Sequence, residues 1–141
     1  MTIRNVQVKD KYAVTEVAEN CAPLLRASVY GTYEFLARCF QRTFFVYLDN
    51  SKIVGYIVGF PNTSVKGEFW LYQVGIKEHY RKKYIGSQLL ERFIEQVKSD
   101  GYKRIRSHIQ FENEHSKNLH EKFGFKICGQ DDKGWFEELI L

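Results

Sequence analysis

Residues 76–90 read IKEHYRKKYIGSQLL, and within this stretch a strand ends and a helix begins. The residues before the junction, 68–77 (EFWLYQVGIK), are rich in aromatic and β-branched side chains, which predicts a strand. After it, apolar residues at helical spacing form one face: Ile85, Leu89, Leu90, Phe93, Ile94 and Val97. Gly101 stands where this helix is expected to end.

Three consecutive cations, a glycine and a serine stand where that helix starts. A helix N-terminus offers unpaired N–H groups and about half a positive charge, which favour an anion. Gly86 lets a ligand approach the backbone closely, and the Arg81 guanidinium can bind two phosphate oxygens at once. The junction therefore indicates a phosphate site, but a solvated basic turn would contain the same residues.

The rest of the chain supplies six more strands and three more helices. Strands are predicted at 2–8, 43–49, 52–60, 103–110, 125–130 and 134–141. One helix is expected to begin after an N-cap at Asp10 and to end before Pro23, and the others span 30–41 and 114–123. The order β-α-α-β-β-β-α-β-α-β-β predicts a mixed α/β sheet, and the absence of a linker predicts a single domain, 1–141.

Composition excludes several classes of protein. The chain has 141 residues, 44% hydrophobic and 27% charged, which is typical of a globular domain and not of a disordered or coiled-coil protein. A net charge of +4 is too small to indicate nucleic-acid binding. No signal peptide or membrane span is visible, so the protein is predicted to be cytoplasmic. Scattered cysteines (Cys21, Cys39 and Cys128) predict no disulfide and no metal site, and we expect all three to be buried.

A second segment, residues 113–125 (NEHSKNLHEKFGF), sharpens the interpretation of the first. Alone, Asn113 is explained as a helix cap and Gly124 as a helix-ending residue. Together the two segments resemble the GNAT superfamily of N-acetyltransferases. Its loop Q/R-x-x-G-x-G/A falls on Arg81–Gly86, and its motif N-x-x-A/S-x-x-L-Y-E-K-x-G-F falls on residues 113–125. The element order of the whole chain is similar to that fold as well.

This resemblance implies transfer of an acetyl group from acetyl-CoA to a primary amine of a small molecule, by direct attack on the thioester. It implies that the donor lies along the fourth strand, where a backbone N–H polarises the acetyl carbonyl, and against the loop and the later motif. The residues expected to bind the donor are Val74, Gly75, Ile76, Arg81, Lys82, Lys83, Tyr84, Ile85, Gly86, Ser87, Asn113 and Ser116.

Two residues depart from the family pattern. Tyr84 replaces the first loop glycine, which we expect the fold to accept if φ is negative there. His120 replaces the tyrosine that often protonates the leaving thiolate, so His120 is the candidate acid, with water as the alternative. A histidine acid, with an ordinary pKa near ~6.5, would lose activity at lower pH than a tyrosine acid.

The amine site is less defined by the sequence. Glu68 is the candidate general base, with Tyr72, Gln73, Glu34 and Glu112 as rivals, and Glu34 and Tyr72 are the candidate substrate ligands. His108 is expected either to face the substrate cleft or to be a satisfied strand residue. His79 and His115 are expected at the surface.

The layout of residues 30–60 followed by LYQVGI is loosely similar to the diaminobutyrate acetyltransferases of ectoine synthesis, which favours an amino acid or diamine as acceptor. The alternatives are a protein or peptide N-acetyltransferase and a non-catalytic acyl-CoA-binding domain. Pairing of the closing strands in a homodimer is left open.

Overall fold

The computed structural model describes all residues, 1–141. Its helices are α1 (Lys11–Cys21), α2 (Tyr30–Cys39), α3 (Ile85–Ser99) and α4 (Glu114–Lys122). Its strands are β1 (Thr2–Asn5), β2 (Phe44–Asp49), β3 (Lys52–Pro61), β4 (Glu68–Ile76), β5 (Arg104–Gln110), β6 (Lys126–Gln130) and β7 (Gly134–Ile140). The predicted element order is confirmed.

One seven-stranded sheet in the order β1-β2-β3-β4-β5-β7-β6 runs through the molecule. Every neighbouring pair is antiparallel except β4 and β5, which are parallel and are joined through α3. Strands β2 and β3 form a hairpin, and Asn50 and Ser51 form its turn with φ values of 48° and 71°. The mixed α/β architecture is confirmed as well.

Each face of the sheet carries a hydrophobic core. The apolar face of α3 packs on one side, where Leu89, Leu90 and Phe93 are completely buried. Helices α1 and α2 cover the other side over β2, β3 and β4, around Tyr33 and Tyr56. None of the helices has the length and apolar character needed to cross a membrane.

The N-terminal strand is shorter than predicted and its cap is different. β1 ends at Asn5, and a 3₁₀ turn over Val8–Asp10 leads into α1. Asp10 stands at the N-cap position of α1 but does not cap that helix with its side chain. Its carboxylate accepts from Gln7 N–H at 2.7 Å and from Arg4 at 2.8 Å, because these donors lie on the strand side of the turn.

The expectation that all three cysteines are buried was wrong. Cys39 and Cys128 are exposed and Cys21 is half-buried. Cys39 is the last residue of α2. Cys128 lies where the register of β6 shifts against β7, on an edge strand whose five residues are all exposed. The apolar character of cysteine was therefore not enough to predict burial at a helix end or on an edge strand.

Candidate active site

A cleft opens where β4 and β5 separate. The two strands pair only from Glu68↔Arg104 to Leu71↔Ser107. Beyond these pairs their continuations line a cleft of about 680 Å³ together with residues 24–26 of the α1–α2 loop and the start of α4. A parallel sheet that ends in this way leaves backbone N–H and C=O groups without partners on both strands.

On β4, alternation decides which backbone groups face the cleft. Lys77 N–H donates to Val54 O on β3, so the groups of Val74 and Ile76 point to the opposite edge. Ile76 O is already occupied, because it accepts from Arg81 Nε at 3.0 Å. The N–H groups of Val74 and Ile76 are therefore the donors left for a ligand at the edge of β4. A register shift between the Gln73 and Leu71 pairs displaces this edge just where the strands part.

The N-terminus of α3 forms the second part of the site. Gln88 is the first residue of the helix whose N–H has a backbone partner, the carbonyl of Tyr84 at 3.1 Å. The amides of Ile85, Gly86 and Ser87 have no such partner and point out of the first turn. They border a groove of about 260 Å³ that also contacts Lys82. Unpaired amides beside a cation are suited to a pyrophosphate.

Tyr84 does not adopt the conformation expected for a side chain at this position. Its φ is +63°, in the left-handed region, and Lys82 nearby has a φ of +65°. A left-handed conformation costs roughly 1–2 kcal/mol in a residue other than glycine. The expectation of a negative φ was therefore wrong: the loop keeps the shape that a glycine would adopt, and the Tyr84 ring is 73% exposed beside the groove.

Positive charge surrounds the groove. Desolvation, together with the charges of Arg81, Lys122 and Lys82, lowers the pKa of His115. His115 borders the groove from the first turn of α4, so the predicted surface residue is also a wall of the site. The guanidinium of Arg81 is only partly free, since it binds Ile76 O.

The start of α4 joins the groove to the cleft. Asn113 Oδ1 accepts from Ser116 N–H at 3.2 Å, as a helix cap does. Both residues line the cleft. The amide NH₂ of Asn113 makes no hydrogen bond and is a donor available to a ligand.

His120 lines the same cleft from below and is only 3% exposed. Its Nδ1 lies 3.0 Å from Oε1 of Glu137, a β7 residue with no exposed surface. Its Nε2 is buried and has no partner. Glu137 could not be singled out from the sequence, because Glu138 follows it on the strand and only the fold shows which of the two is turned inward.

Two predicted residues lie away from the cleft. Glu68 is 4% exposed and accepts from Asn62 Nδ2 at 2.6 Å, with Arg106 NH1 4.0 Å away. It stands where β4 and β5 are still paired and does not line the cleft. Glu34 on α2 pairs with Lys11 at 2.6 Å and does not line the cleft either. Tyr72 and Gln73 do line it.

The mouth of the cleft contains a second histidine–carboxylate pair. His108 Nε2 lies 2.9 Å from Asp131 Oδ1, and His108 lines the cleft. This hydrogen bond, with two further ones from the N–H groups of Lys133 and Gly134, lowers the pKa of Asp131 to about 2. Asp131 is therefore ionised at neutral pH. His108 fulfils both expectations at once, because it is paired and also reaches the cleft.

A buried hydrogen-bond hub fixes the loop on the other side of the mouth. Gln73 Oε1 accepts from Tyr33 at 2.9 Å and from Tyr56 at 2.7 Å, and Gln73 Nε2 donates to Arg26 O at 2.8 Å. Burial raises the pKa of Tyr56 well above its usual value, so it remains a hydroxyl donor. The hub ties residues 24–26 to β4, a connection that no local sequence pattern reveals.

These features fit a coenzyme A thioester. The amides and cations at α3 match its pyrophosphate, and the unpaired edge of β4 matches the amide-containing arm. The thioester would then reach the end of the cleft that contains His120. No group of three or more His, Cys, Asp or Glu side chains is close enough together to hold a metal ion.

Comparison with known proteins agrees with this geometry. The model of the acetyltransferase (GNAT) family matches residues 11–125. None of the curated proteins matches the sequence significantly.

Solved structures share the fold at low sequence identity. Ard1 from Thermoplasma volcanium superposes with a TM-score of 0.87 at 22% identity, covering 99% of this chain and 97% of that one. Diaminobutyrate acetyltransferase EctA from Paenibacillus lautus gives 0.86 at 18% identity, covering 99% and 93%. Ribosomal-protein-alanine N-acetyltransferase from Brucella melitensis gives 0.84 at 20% identity, covering 100% of both chains.

The family model extends from α1 to the end of the later motif, and the three structures superpose over at least 99% of this chain. The expected likeness to diaminobutyrate acetyltransferases is confirmed at the level of the fold. The chain belongs to the GNAT family of acetyltransferases, enzymes that take their acetyl group from acetyl-CoA.

Proposed function

We propose that this enzyme acetylates the primary amine of a small molecule that also carries a carboxylate, such as an amino acid. The observation that carries the proposal is the cleft itself: an anion site at one end, an unpaired strand edge in the middle, and two histidines at the other end. The donor substrate, acetyl-CoA, and the acceptor amine enter this cleft from opposite sides.

The donor is held mainly by backbone amides that have no other partner. The amides of Ile85, Gly86 and Ser87 bind the pyrophosphate, with Lys82, Lys83 and Arg81 supplying positive charge around it. The arm runs along the β4 edge, Val74 to Ile76, with Asn113 and Ser116 on the facing side. The Val74 N–H then lies where it can donate to the thioester oxygen as negative charge develops there.

Proton transfer at the acceptor is assigned to His108. An alkyl ammonium with a pKa near ~10 must lose a proton before it can attack a carbonyl. His108 is a basic side chain on the wall of the cleft, oriented by Asp131. It replaces Glu68 in this role, because Glu68 is engaged with Asn62 outside the cleft. His120, at the inner end, supplies the proton that the departing thiolate requires.

The class of acceptor follows from charges at the mouth. Arg26, Lys133, Glu112 and Asp132 line the cleft, and none of them takes part in an ion pair. Unpaired charges of both signs are complementary to a zwitterion, whose ammonium and carboxylate need opposite partners. EctA from Paenibacillus lautus, whose fold is similar, was crystallised with L-2,4-diaminobutyric acid.

The test is release of free coenzyme A from acetyl-CoA in the presence of single amines. The panel contains amino acids, diamines, aminoglycosides and short peptides, with acetyl-CoA binding measured separately by calorimetry. We expect amino acids, acetylated at the α-amine or at a side-chain amine, to give the highest kcat/KM. The Arg26→Ala variant should raise their KM, because it removes a cation that can bind the carboxylate. Simple diamines without a carboxylate are the matched control, and their KM should not respond to that variant.

Two other results would redirect the proposal. Acceleration by peptides alone would make the enzyme a protein or peptide N-acetyltransferase. Tight acetyl-CoA binding without acceleration by any amine would make it a non-catalytic acyl-CoA-binding domain.

A further inference from the structure

The pair formed by His120 and Glu137 contains a buried carboxylate that a simple proton donor would not require. Both side chains are at least nine-tenths buried, and each has a polar atom without a partner, Nε2 in His120 and Oε2 in Glu137. Ser107, opposite Glu137 in the β5–β7 ladder, is 2% exposed and its Oγ is also unpartnered. Three incompletely bonded polar groups therefore share one region beneath the cleft, where Ser107 and His120 form part of its wall.

A cluster of this kind lowers the free energy of unfolding compared with an apolar core. Burying a carboxylate with a single side-chain partner costs several kcal/mol of desolvation, and an apolar pair of similar volume is often more stable. The His120 ring needs no help from Glu137 to stay in place, because it packs on Phe125 with the ring centroids 4.9 Å apart. The carboxylate must therefore act on the protons of the imidazole.

The hydrogen bond to Glu137, through the charge of that carboxylate, determines which nitrogen of His120 carries a proton. The 3.0 Å contact does not itself fix the tautomer; because an ionised carboxylate only accepts, an ionised Glu137 requires the proton of this bond to be on His120 Nδ1. In a neutral imidazole the other nitrogen, Nε2, then carries a lone pair and cannot donate. His120 must accept a proton at Nε2 before it can give one to sulfur.

We propose that Glu137 is a positioning residue that keeps a proton on His120 Nδ1, so that His120 Nε2 takes the proton of the attacking nitrogen and passes it to the departing sulfur. This rests on the acetyltransferase function proposed above. The same logic operates wherever a carboxylate orients a histidine that serves first as base and then as acid.

The proton count is complete. The neutral amine forms a C–N bond to the acetyl carbon, and its nitrogen becomes positively charged. One proton leaves that nitrogen for Nε2, and the imidazolium is stabilised by the Glu137 charge on its other side. When the C–S bond breaks, the same proton moves from Nε2 to sulfur, giving the amide and free coenzyme A with His120 neutral again.

The register of the sheet adds Ser107 to this unit. Directly opposed side chains in an antiparallel pair stand about 5 Å apart, so the Ser107 hydroxyl is a candidate donor to Oε2 of Glu137. Ser107→Ala is expected to lower kcat less than any change to Glu137, because it leaves the Oε1 hydrogen bond intact.

The first experiment reads the proton position directly. The full chain is labelled with ¹⁵N-histidine, and the signal of His120 is assigned by its loss in His120→Tyr among the four histidines. We expect the tautomer with the proton on Nδ1 in the wild type and a shift toward the Nε2–H form in Glu137→Gln. A wild-type spectrum with the proton on Nε2 would overturn the proposal, and this readout does not depend on finding a substrate.

The second experiment measures kcat in a double-variant cycle with an amine that the wild type acetylates. Glu137→Gln should lower kcat about 100-fold while acetyl-CoA affinity and the amine KM stay unchanged, since general acid–base steps contribute 10²–10⁴. In the His120→Tyr background the same substitution should change kcat less than threefold. An equal effect of Glu137→Gln in both backgrounds would show a merely structural role.

Glu138→Gln is the matched control for charge removal on β7. Glu138 pairs with Arg104 at 3.3 Å and does not line the cleft, so its loss should leave kcat unchanged. If no amine is acetylated by the wild type, the proposed function fails while the ¹⁵N spectra still decide the role of Glu137.

Discussion

Replacing Gly86 with alanine tests how the first turn of α3 presents its amide. The φ of Gly86 is not positive, so alanine can adopt the same backbone. The added Cβ would lie 3.2 Å from Leu119 Cδ2, a side-chain end that can yield by a few tenths of an ångström, and 4.0 Å from Ile76 Cγ1, which is an ordinary van der Waals contact. Alanine gains up to about 1 kcal/mol over glycine in a helix, so the free energy of unfolding should change by less than about 1 kcal/mol.

Donor affinity should change little as well, because the family loop Q/R-x-x-G-x-G/A accepts alanine at this position. Gly86 borders the groove at the first turn of α3, and its N–H is one of three without a partner there. The alanine methyl meets Leu119 and Ile76 and leaves that amide open to a pyrophosphate oxygen. Loss of one hydrogen bond to a charged group would instead be worth about 2 kcal/mol, which is roughly 30-fold in Kd.

The assay is calorimetric titration with acetyl-CoA, together with urea unfolding of the same samples. The control is Gly31→Ala, because Gly31 is likewise the second residue of a helix and a Cβ there meets nothing within 4 Å. Gly31→Ala should match the stability change and leave Kd unaltered. A roughly 30-fold loss of acetyl-CoA affinity in Gly86→Ala, absent in Gly31→Ala, would refute this orientation of the Gly86 amide.

Three further predictions concern the acceptor side. Glu68→Gln should lower stability by about 1 kcal/mol, because Asn62 then donates to a neutral amide oxygen in place of a carboxylate, while kcat stays within about twofold in a steady-state assay. Tyr33→Phe should cost about 1 kcal/mol and raise the amine KM with acetyl-CoA affinity unchanged, as seen by titration of each ligand. Asp131 has its folded-state pKa lowered to about 2 from an ordinary 3.8, so it stabilises the fold above pH 3.8 and loses this contribution as pH falls through 2. Urea unfolding should therefore find wild type more stable than Asp131→Asn at about pH 6, with the difference shrinking below pH 3.8 and vanishing only below pH 2.

The helix N-terminus of α3 and the cap of α4 could be predicted from the sequence, but the side-chain pairs of the cleft could not. The cation-rich junction before Ile85 and the Asn113 motif are local patterns, so a helix N-terminus and its cap could be read from neighbouring residues. Local pattern also misled, since Glu68 looks like the open end of a strand but is buried against Asn62. What decides its position is the pairing of β5, more than 30 residues away.

Glu137, His108 and Asp131 show the same limit. Their partners come from elements brought together only by the β5–β7–β6 arrangement, in which the chain order of the last two strands is reversed. The pairs His108–Asp131 and His120–Glu137 can be predicted only with the register His108↔Phe136 and Ser107↔Glu137, which depends on the whole sheet. Tyr84 adds a different reason: the left-handed turn is imposed by the loop against the intrinsic preference of the residue.

The hub around Gln73 has a consequence for how this enzyme can change over evolution. The path of residues 24–26 is set by a main-chain carbonyl, Arg26 O, which accepts from Gln73 on β4, and Gln73 is held in turn by Tyr56 on β3 and Tyr33 on α2. The exposed side chains on that loop, Leu24 and Arg26, are thus free to vary while its course is inherited from the core. Substitutions at a few exposed positions can therefore change the acceptor specificity, while the stability of the fold and the binding of acetyl-CoA are kept.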